Sequence, residues 1–517
     1  MNLREPHQPR YIAPQRSNRW NSATPTMTLH DARPTWPLLA LTLALLAGCR
    51  LGPDYQAPVQ DLPDAWNAPA SQAAPLPSTT WWKGFRSAEL DGLMADALAG
   101  SFDIQAAIAR VRQADAQLRV AGGALLPTLS GSAGANWSRG SGARIGGSGG
   151  QSQFGITRRT VETRSYNIGP SVSYQLDFWG GLRATQDAAA AGALFSRYDR
   201  QTVTMTVLGS VATAWVTALA AQDRLAVAQR NLHDAEEILK AIQARQDAGT
   251  ASLLDTSQQQ TLVAGIRAIV PGLRVQREQQ VAALAVLVGR LPERIEVRTG
   301  TLTNLILPDV RPGLPSTLLA RRPDVAAAEA NLIAQNANIR AARAAFFPTI
   351  SLTGSGGWES AALSNLISPQ SVLLNAAASA TQTIFDNGRL RGQFEQSRAR
   401  YDELLADYRK TVVQAFVDVE NALTAWRQFS EQERLEREAV ATAQRAADIA
   451  RAQVLAGTLD IVTALQTQTS LFNDLDLLAQ ARLARVQALV NLYQALGGGW
   501  TSGDVLPPEA PIFNGVL

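Results

Sequence analysis

YDELLADYRKTVVQAFVDVENALTAW, residues 401–426, places Tyr401, Leu405, Tyr408, Val412, Phe416, Val419, Leu423 and Trp426 at spacings of three and four. That period is a narrow apolar seam along one face of a helix. The seam sits within 393–456, which contain no glycine and no proline. At about 1.5 Å per residue the uninterrupted helix would be roughly 95 Å long. No ordinary globular core is that deep, so the rod needs partners of matching length.

The partners come from an internal duplication. A helix is expected over 182–248, followed by a turn at Gly249 and Thr250 and a returning helix over 252–288 with a kink at Pro271 and Gly272. Phe385, Gly388 and Arg391 stand about 207 residues after Phe178, Gly181 and Arg183, and Gly457 and Thr458 stand 208 after Gly249 and Thr250. Gln466 and Gln468 likewise repeat Gln258 and Gln260, and Phe347-Pro348-Thr349-Ile350-Ser351 echoes Leu126-Pro127-Thr128-Leu129-Ser130. Each copy reads medium helix, two strands, long helix, turn, shorter helix. In the first copy Ser101 or Asp103 caps the medium helix, which runs to Gly122.

Lengths then constrain the packing. The return helix over 459–496 spans about 57 Å and the medium helix over 322–345 about 36 Å, which together match the long helix. The two short helices are therefore expected end to end beside the long one, with strands at one tip and the Gly-Thr turns at the other.

The strands alternate. In 128–138, Leu129, Ala133, Ala135 and Trp137 share one face and Thr128, Ser130, Ser132, Asn136 and Ser138 the other. A Gly/Ser/Arg-rich loop is expected over 139–164. Then Tyr166, Ile168, Val172, Tyr174, Leu176 and Phe178 oppose Ser165, Asn167, Ser171, Ser173, Gln175 and Asp177. The pattern resumes with Ile350, Leu352 and Trp358 against Thr349, Ser351, Thr353 and Ser355. Four strands cannot close a sheet, since about eight make the smallest packed barrel, so oligomerisation is implied. An apolar face opposite a small polar one suits a membrane barrel with a wet lumen.

Of the 517 residues 46% are hydrophobic, yet no apolar run reaches the roughly 18–20 residues of a membrane-spanning helix. The longest, 38–47, follows Arg33 and leads into Leu46-Ala47-Gly48-Cys49, a lipobox whose processing would leave lipid on Cys49, the sole cysteine. The first 26 residues are polar and poorly placed for a signal; Met27 offers an alternative start. Arg4, Arg10, Arg16, Arg19 and Arg33 against Glu5 and Asp31 account for the whole net charge of +3. The mature chain is formally neutral, which removes compositional support for a nucleic-acid partner. One cysteine excludes intrachain disulfides.

Chemistry is sparse. His233 is the only histidine beyond the signal segment, so a histidine-based triad or a His/Cys metal site has nothing to be built from. The acids are scattered among Arg and Gln on helices, as on a solvated face, and no phosphate-cradling glycine loop opens a helix. No enzyme and no metal or cofactor beyond the lipid is expected.

Leu318-Leu319-Ala320-Arg321-Arg322-Pro323-Asp324-Val325, Ala328-Glu329, Phe346-Phe347-Pro348-Thr349-Ile350, the lipobox, Trp81-Trp82 and Ala495-Leu496-Gly497-Gly498-Gly499-Trp500 resemble the outer-membrane factor family, the TolC-like and OprM-like lipoproteins of tripartite efflux systems. The resemblance implies an α+β membrane protein: a homotrimer whose twelve-stranded barrel, four strands per protomer, continues as a helical periplasmic tunnel. It implies an outer-membrane duct that works with an inner-membrane pump, of the resistance-nodulation-division type, and a periplasmic adaptor docking at Gly249, Thr250, Gly457 and Thr458. Arg50 after the lipidated cysteine fits delivery to the outer membrane. Asp460 matches a constricting acidic ring and Asp255 an acid that helps hold the closed state, while an N-cap role for Asp460 remains open beside it. Some members lock this gate with a Tyr three before the glycine and an Arg two after it; here these places are Val454 and Leu459. Type I protein secretion and a pore-free lipid-anchored periplasmic scaffold are the alternative functions.

The expected divisions are 1–48, extension and signal; 49–80, lipidated Pro-rich linker; 81–290, first copy; 291–321, Pro-rich equatorial connector; 322–500, second copy; and 501–517, tail.

Overall fold

The structure is a computed structural model that describes residues 52, 55–59, 78–143, 158–297, 300–308, 321–498 and 500. The signal segment, Cys49 with its lipobox, most of the Pro-rich linker, residues 309–320 of the connector and the tail lie outside the described residues.

Both long helices are present. Helices α1 (Ala88–Gly100) and α2 (Phe102–Gly123) precede strands β1 (Thr128–Ala143) and β2 (Arg158–Leu176). Long helix α3 (Gly181–Asp247) and return helix α4 (Leu253–Val288) complete the first copy. The second copy is α5 (Pro323–Ala344), β3 (Thr349–Ser360), β4 (Val372–Thr381), α6 (Arg389–Ala456) and α7 (Ile461–Ala495). Each long helix begins at a left-handed glycine, Gly180 (φ 72°) and Gly388 (φ 83°). An upstream acid caps its free amides: Asp177 accepts from the Leu182 and Arg183 N–H at 2.9 Å, and Asp386 from Leu390 N–H at 2.8 Å. A glycine turn and an acid thus convert strand to helix at the same place in both copies.

The medium and return helices do abut end to end, and glycine makes this possible. A Cβ on Gly289, just past α4, would lie 2.2 Å from the Gly100 carbonyl oxygen just before α2; one on Gly497, past α7, would lie 2.3 Å from the Arg321 carbonyl oxygen just before α5. Both glycines are left-handed, φ 70° and 89°; Gly289 is the C-cap of α4, Gly497 follows the Leu496 C-cap of α7, and both act as spacers. Arg322 welds the second joint: buried at 7% exposure, it pairs with Asp324 at 2.6 Å and Asp418 at 2.9 Å and donates to the Ala495 carbonyl at 3.4 Å. This is what the Arg322-Pro323-Asp324 motif does physically.

Helix α5 packs against both α3 and α6, α2 against α3, α4 against α3 and α7 against α6. The seam of α6 is its inner face: Tyr408, Val412, Val419 and Leu423 are buried and Tyr401, Leu405, Phe416 and Trp426 partly so. Alanine lines α3 at Ala184, Ala191, Ala193, Ala212, Ala218 and Ala228, which lets neighbouring helices approach closely. The central core joins Trp81, Trp82 and Phe85 to Trp215, Leu219, Leu284 and Tyr493, with Trp81 stacked on Tyr493 at 4.8 Å between ring centres.

The strands form one antiparallel sheet in the order β1-β2-β3-β4, so β2–β3 pairing joins the two copies. Leu129 faces Val172, Ile168 faces Trp358, Tyr174 faces Leu352 and Trp358 faces Val372, all on one side of the pleat. Opposite it run Ser130, Ser171, Ser355 and Asn375. β1 and β4 are left as open edges.

Three expectations need correction. The loop expected over 139–164 is strand at both ends, 139–143 and 158–164, because β1 and β2 pair as far as Ala143 and Arg158. Pro271, where a kink is expected, lies within the span of helix α4 and costs it one main-chain donor. Helix α1 adds to the expected elements: Leu90, Leu93, Met94 and Ala97 have helical spacing, are buried, and follow a capping Ser87. Ser101 stands at the α2 N-cap but its hydroxyl makes no capping bond.

Candidate functional site

The tips of the two helical hairpins are built alike. The α3–α4 turn places Gly249 at φ 73°, and the α6–α7 turn Gly457 at φ 76°. Thr250 N–H donates to the Arg245 carbonyl at 2.8 Å, and its hydroxyl donates to the same oxygen at 3.0 Å. Thr458 repeats this on the Gln453 carbonyl, at 2.9 Å and 3.2 Å. Glycine supplies the left-handed residue and threonine satisfies a carbonyl left free at the helix end. The repeated Gly-Thr pair is therefore a turn, and it exposes little chemistry of its own.

The acids cap the return helices. Asp460 accepts from Thr463 N–H at 2.9 Å and from the Thr463 hydroxyl at 2.7 Å, and these bonds hold its exposed carboxyl below the usual carboxylate range. Asp255 closes a capping box with Ser252, accepting from Ser252 N–H at 2.8 Å while its own N–H donates to the Ser252 hydroxyl at 3.2 Å. Both acids thus have structural duties within one protomer, and both lie within one or two turns of the chain reversals. The N-cap reading of Asp460 holds.

The positions of the side-chain lock are apolar here: Val454 is buried and Leu459 half-buried. Sequence reasoning overlooked Arg245, on the last turn of α3. Its Nη1 donates to the Val454 main-chain carbonyl at 3.1 Å, and its guanidinium lies 3.8–4.0 Å from where a Gly457 Cβ would be. A second tie, Arg451 to Asp234 at 3.2 Å, also joins α6 to α3. One signal could have flagged Arg245: its counterpart 208 residues on is Gln453, so the duplication breaks there.

Between α4 and α7 runs an apolar groove of about 590 Å³ lined by Leu262, Ile266, Ile269, Val462, Leu465 and Phe472. Leu253, Leu254 and Leu455 at the tips are exposed in the protomer. Higher up, buried Glu433 of α6 meets Arg437 at 2.6 Å, Arg485 at 2.7 Å and Arg482 at 3.4 Å. Burial pushes the Glu433 carboxyl up, but hydrogen bonds and charge from Arg485 and Arg437 outweigh this and hold it low. Arg485 also covers the Trp426 ring at 5.0 Å. His233 is exposed on α3, and no cluster of three or more metal-ligating side chains occurs among the described residues.

Comparison with known proteins gives a consistent picture. The family model described as "Outer membrane efflux protein" matches residues 93–290 and 314–498. The pyoverdine export outer membrane protein OpmQ of Pseudomonas putida is 38% identical over 464 residues, 90% of this chain and 97% of that protein. Outer membrane protein OprJ of Pseudomonas aeruginosa is 32% identical, covering 92% of this chain and 98% of its own length. The open-state structure of the Neisseria gonorrhoeae MtrE outer membrane channel superposes with a TM-score of 0.76 at 28% identity, over 87% of this chain and 98% of that one.

Proposed function

We propose that this chain, which belongs to the outer membrane efflux protein family, carries cargo of the pyoverdine class, because the relative at 38% identity along nearly its full length is a pyoverdine export protein. Its general role follows from the family. It is the outer-membrane channel component of a tripartite efflux system, a trimer whose twelve strands close the barrel that β1 and β4 leave open, and a pore-free scaffold is set aside.

The partners in this reading are a periplasmic adaptor and an inner-membrane pump of the resistance-nodulation-division type. Supporting the adaptor contact at Gly249, Thr250, Gly457 and Thr458 are the exposed Leu253, Leu254 and Leu455 beside them and the apolar groove between α4 and α7. Exposed apolar patches of this kind mark protein contacts. Cys49 carries the lipid, holding the chain's start at the outer membrane. The gate lies at the tips, where three copies of Asp460 and Asp255 approach the axis and repel one another, so that closure is easily released.

Complementation tests the cargo. A Pseudomonas putida strain lacking its pyoverdine export outer membrane protein should recover extracellular pyoverdine when it expresses this chain with the matching pump and adaptor. Recovery of drug resistance without pyoverdine export would replace the cargo class, and restored secretion of a polypeptide would favour type I export. Radiolabelled palmitate should enter the wild-type chain and not Cys49→Ala.

A further inference from the structure

Near the tips, side chains join the two long helices α3 and α6, and each helix ends in carbonyl groups that carry partial negative charge. Two such ends next to each other repel. Arg245 lies between them: it belongs to the last turn of α3, yet its guanidinium donates to the Val454 carbonyl of the last turn of α6. The same Val454 oxygen accepts the Gly457 N–H at 3.0 Å, so the arginine attaches directly to the Gly457 turn. Thr250 binds the Arg245 carbonyl by both N–H and hydroxyl, which anchors the backbone of the arginine in the opposite turn.

We propose that Arg245 is the latch of this duct, fastening the two hairpin tips of each protomer through a main-chain acceptor in place of the side-chain lock that Val454 and Leu459 cannot form. This rests on the reading that the gate lies at the tips. A main-chain acceptor has a consequence: the latch depends on the α6 turn keeping its fold at Gly457, so any partner that reshapes this turn removes the acceptor. Arg451, about one helical turn before Val454 on α6, forms a second and more exposed clasp with Asp234 of α3. An adaptor seated in the groove beside α4 and α7 would part the hairpins and break both ties together.

A charge-assisted hydrogen bond of this kind shifts an opening equilibrium by about tenfold to a hundredfold. Single-channel recordings of purified trimers in planar bilayers test the latch, with trimer assembly checked by size-exclusion chromatography. Arg245→Met keeps the stem and removes the donors, and its open fraction should rise at least about tenfold. Arg245→Lys, which keeps the charge and loses the planar fork, should fall between Arg245→Met and wild type, and it serves if the methionine variant fails to assemble. Adding Arg451→Ala should open the channel further. An assembled Arg245→Met trimer with the wild-type open fraction overturns the latch while the gate reading stands, provided Asp460→Ala trimers open. If neither variant changes conductance, the gate itself is misplaced and the latch falls with it.

Discussion

Gly289 and Gly100 meet backbone to backbone, so closely that a Cβ on Gly289 would sit 2.2 Å from the Gly100 carbonyl oxygen. The contact joins the end of one return helix to the start of a medium helix, and Gly497 against Arg321 repeats it in the second copy. A tunnel stave built from two helices can match one continuous helix only if the joint is this tight.

Replacing Gly289 or Gly497 with alanine should therefore cost more than the usual helix-end penalty. Each substitution adds left-handed strain of about 1 kcal/mol or more to a clash with main chain that cannot move aside. Thermal unfolding should show a marked loss of stability and a lower trimer yield. Gly92→Ala, exposed within α1 with open space around it, is the control and should stabilise by about 0.5–1 kcal/mol.

Arg322 concentrates the second joint in one side chain. Arg322→Met would take from the partly exposed Asp418 and Asp324 the cation they share, at a cost of about 1.5–3 kcal/mol. Denaturant titration of the assembled protein measures this. A loss below about 1 kcal/mol would mean that the ion pairs are dispensable and the glycine contact alone holds the joint.

Glu433 makes stability depend on pH. Its folded-state carboxyl is held below its unfolded value despite burial, because Arg485 and Arg437 favour the charged form. A depressed carboxylate contributes stability that is full above the unfolded value, about pH 4.3–4.5, and is lost as pH falls through the folded value. Glu433→Gln should destabilise the protein by about 3 kcal/mol at neutral pH. The variant's melting temperature should also fall less steeply on the acid side. Parallel acid limbs for variant and wild type would refute the assignment.

The two roles of Asp460 can be separated, since asparagine caps a helix about as well as aspartate. Asp460→Asn should keep the melting temperature and, if the charge ring gates the pore, change conductance and cation preference. Asp460→Ala should change conductance and also lower the melting temperature, because it removes the cap along with the charge. Unaltered conductance in Asp460→Asn would leave the residue as a cap only.

Much of this was legible in the chain itself. A period of 3.6 over 401–426, a period of 2 around Leu129 and Ile168, and two Gly-Thr turns 208 residues apart report local geometry and depend on nothing distant. They were enough to count the long helices and strands and to match their lengths. The extents of β1 and β2 were not, because Gly140 and Gly142 carry no alternation and become strand only by pairing with Val161 and Arg159. Helix α1 is harder to read although its spacing is present, since Gly92 interrupts a short segment.

Sequence alone determined the duplication, the staves and the positions of the turns, because periodicity and length are properties of the chain. Tertiary structure decided what those turns hold. Arg245 binds a main-chain oxygen 209 residues away, and Gly289 matters for the backbone it touches. An acceptor with no side chain leaves no mark in a sequence, and neither does the space a missing Cβ provides.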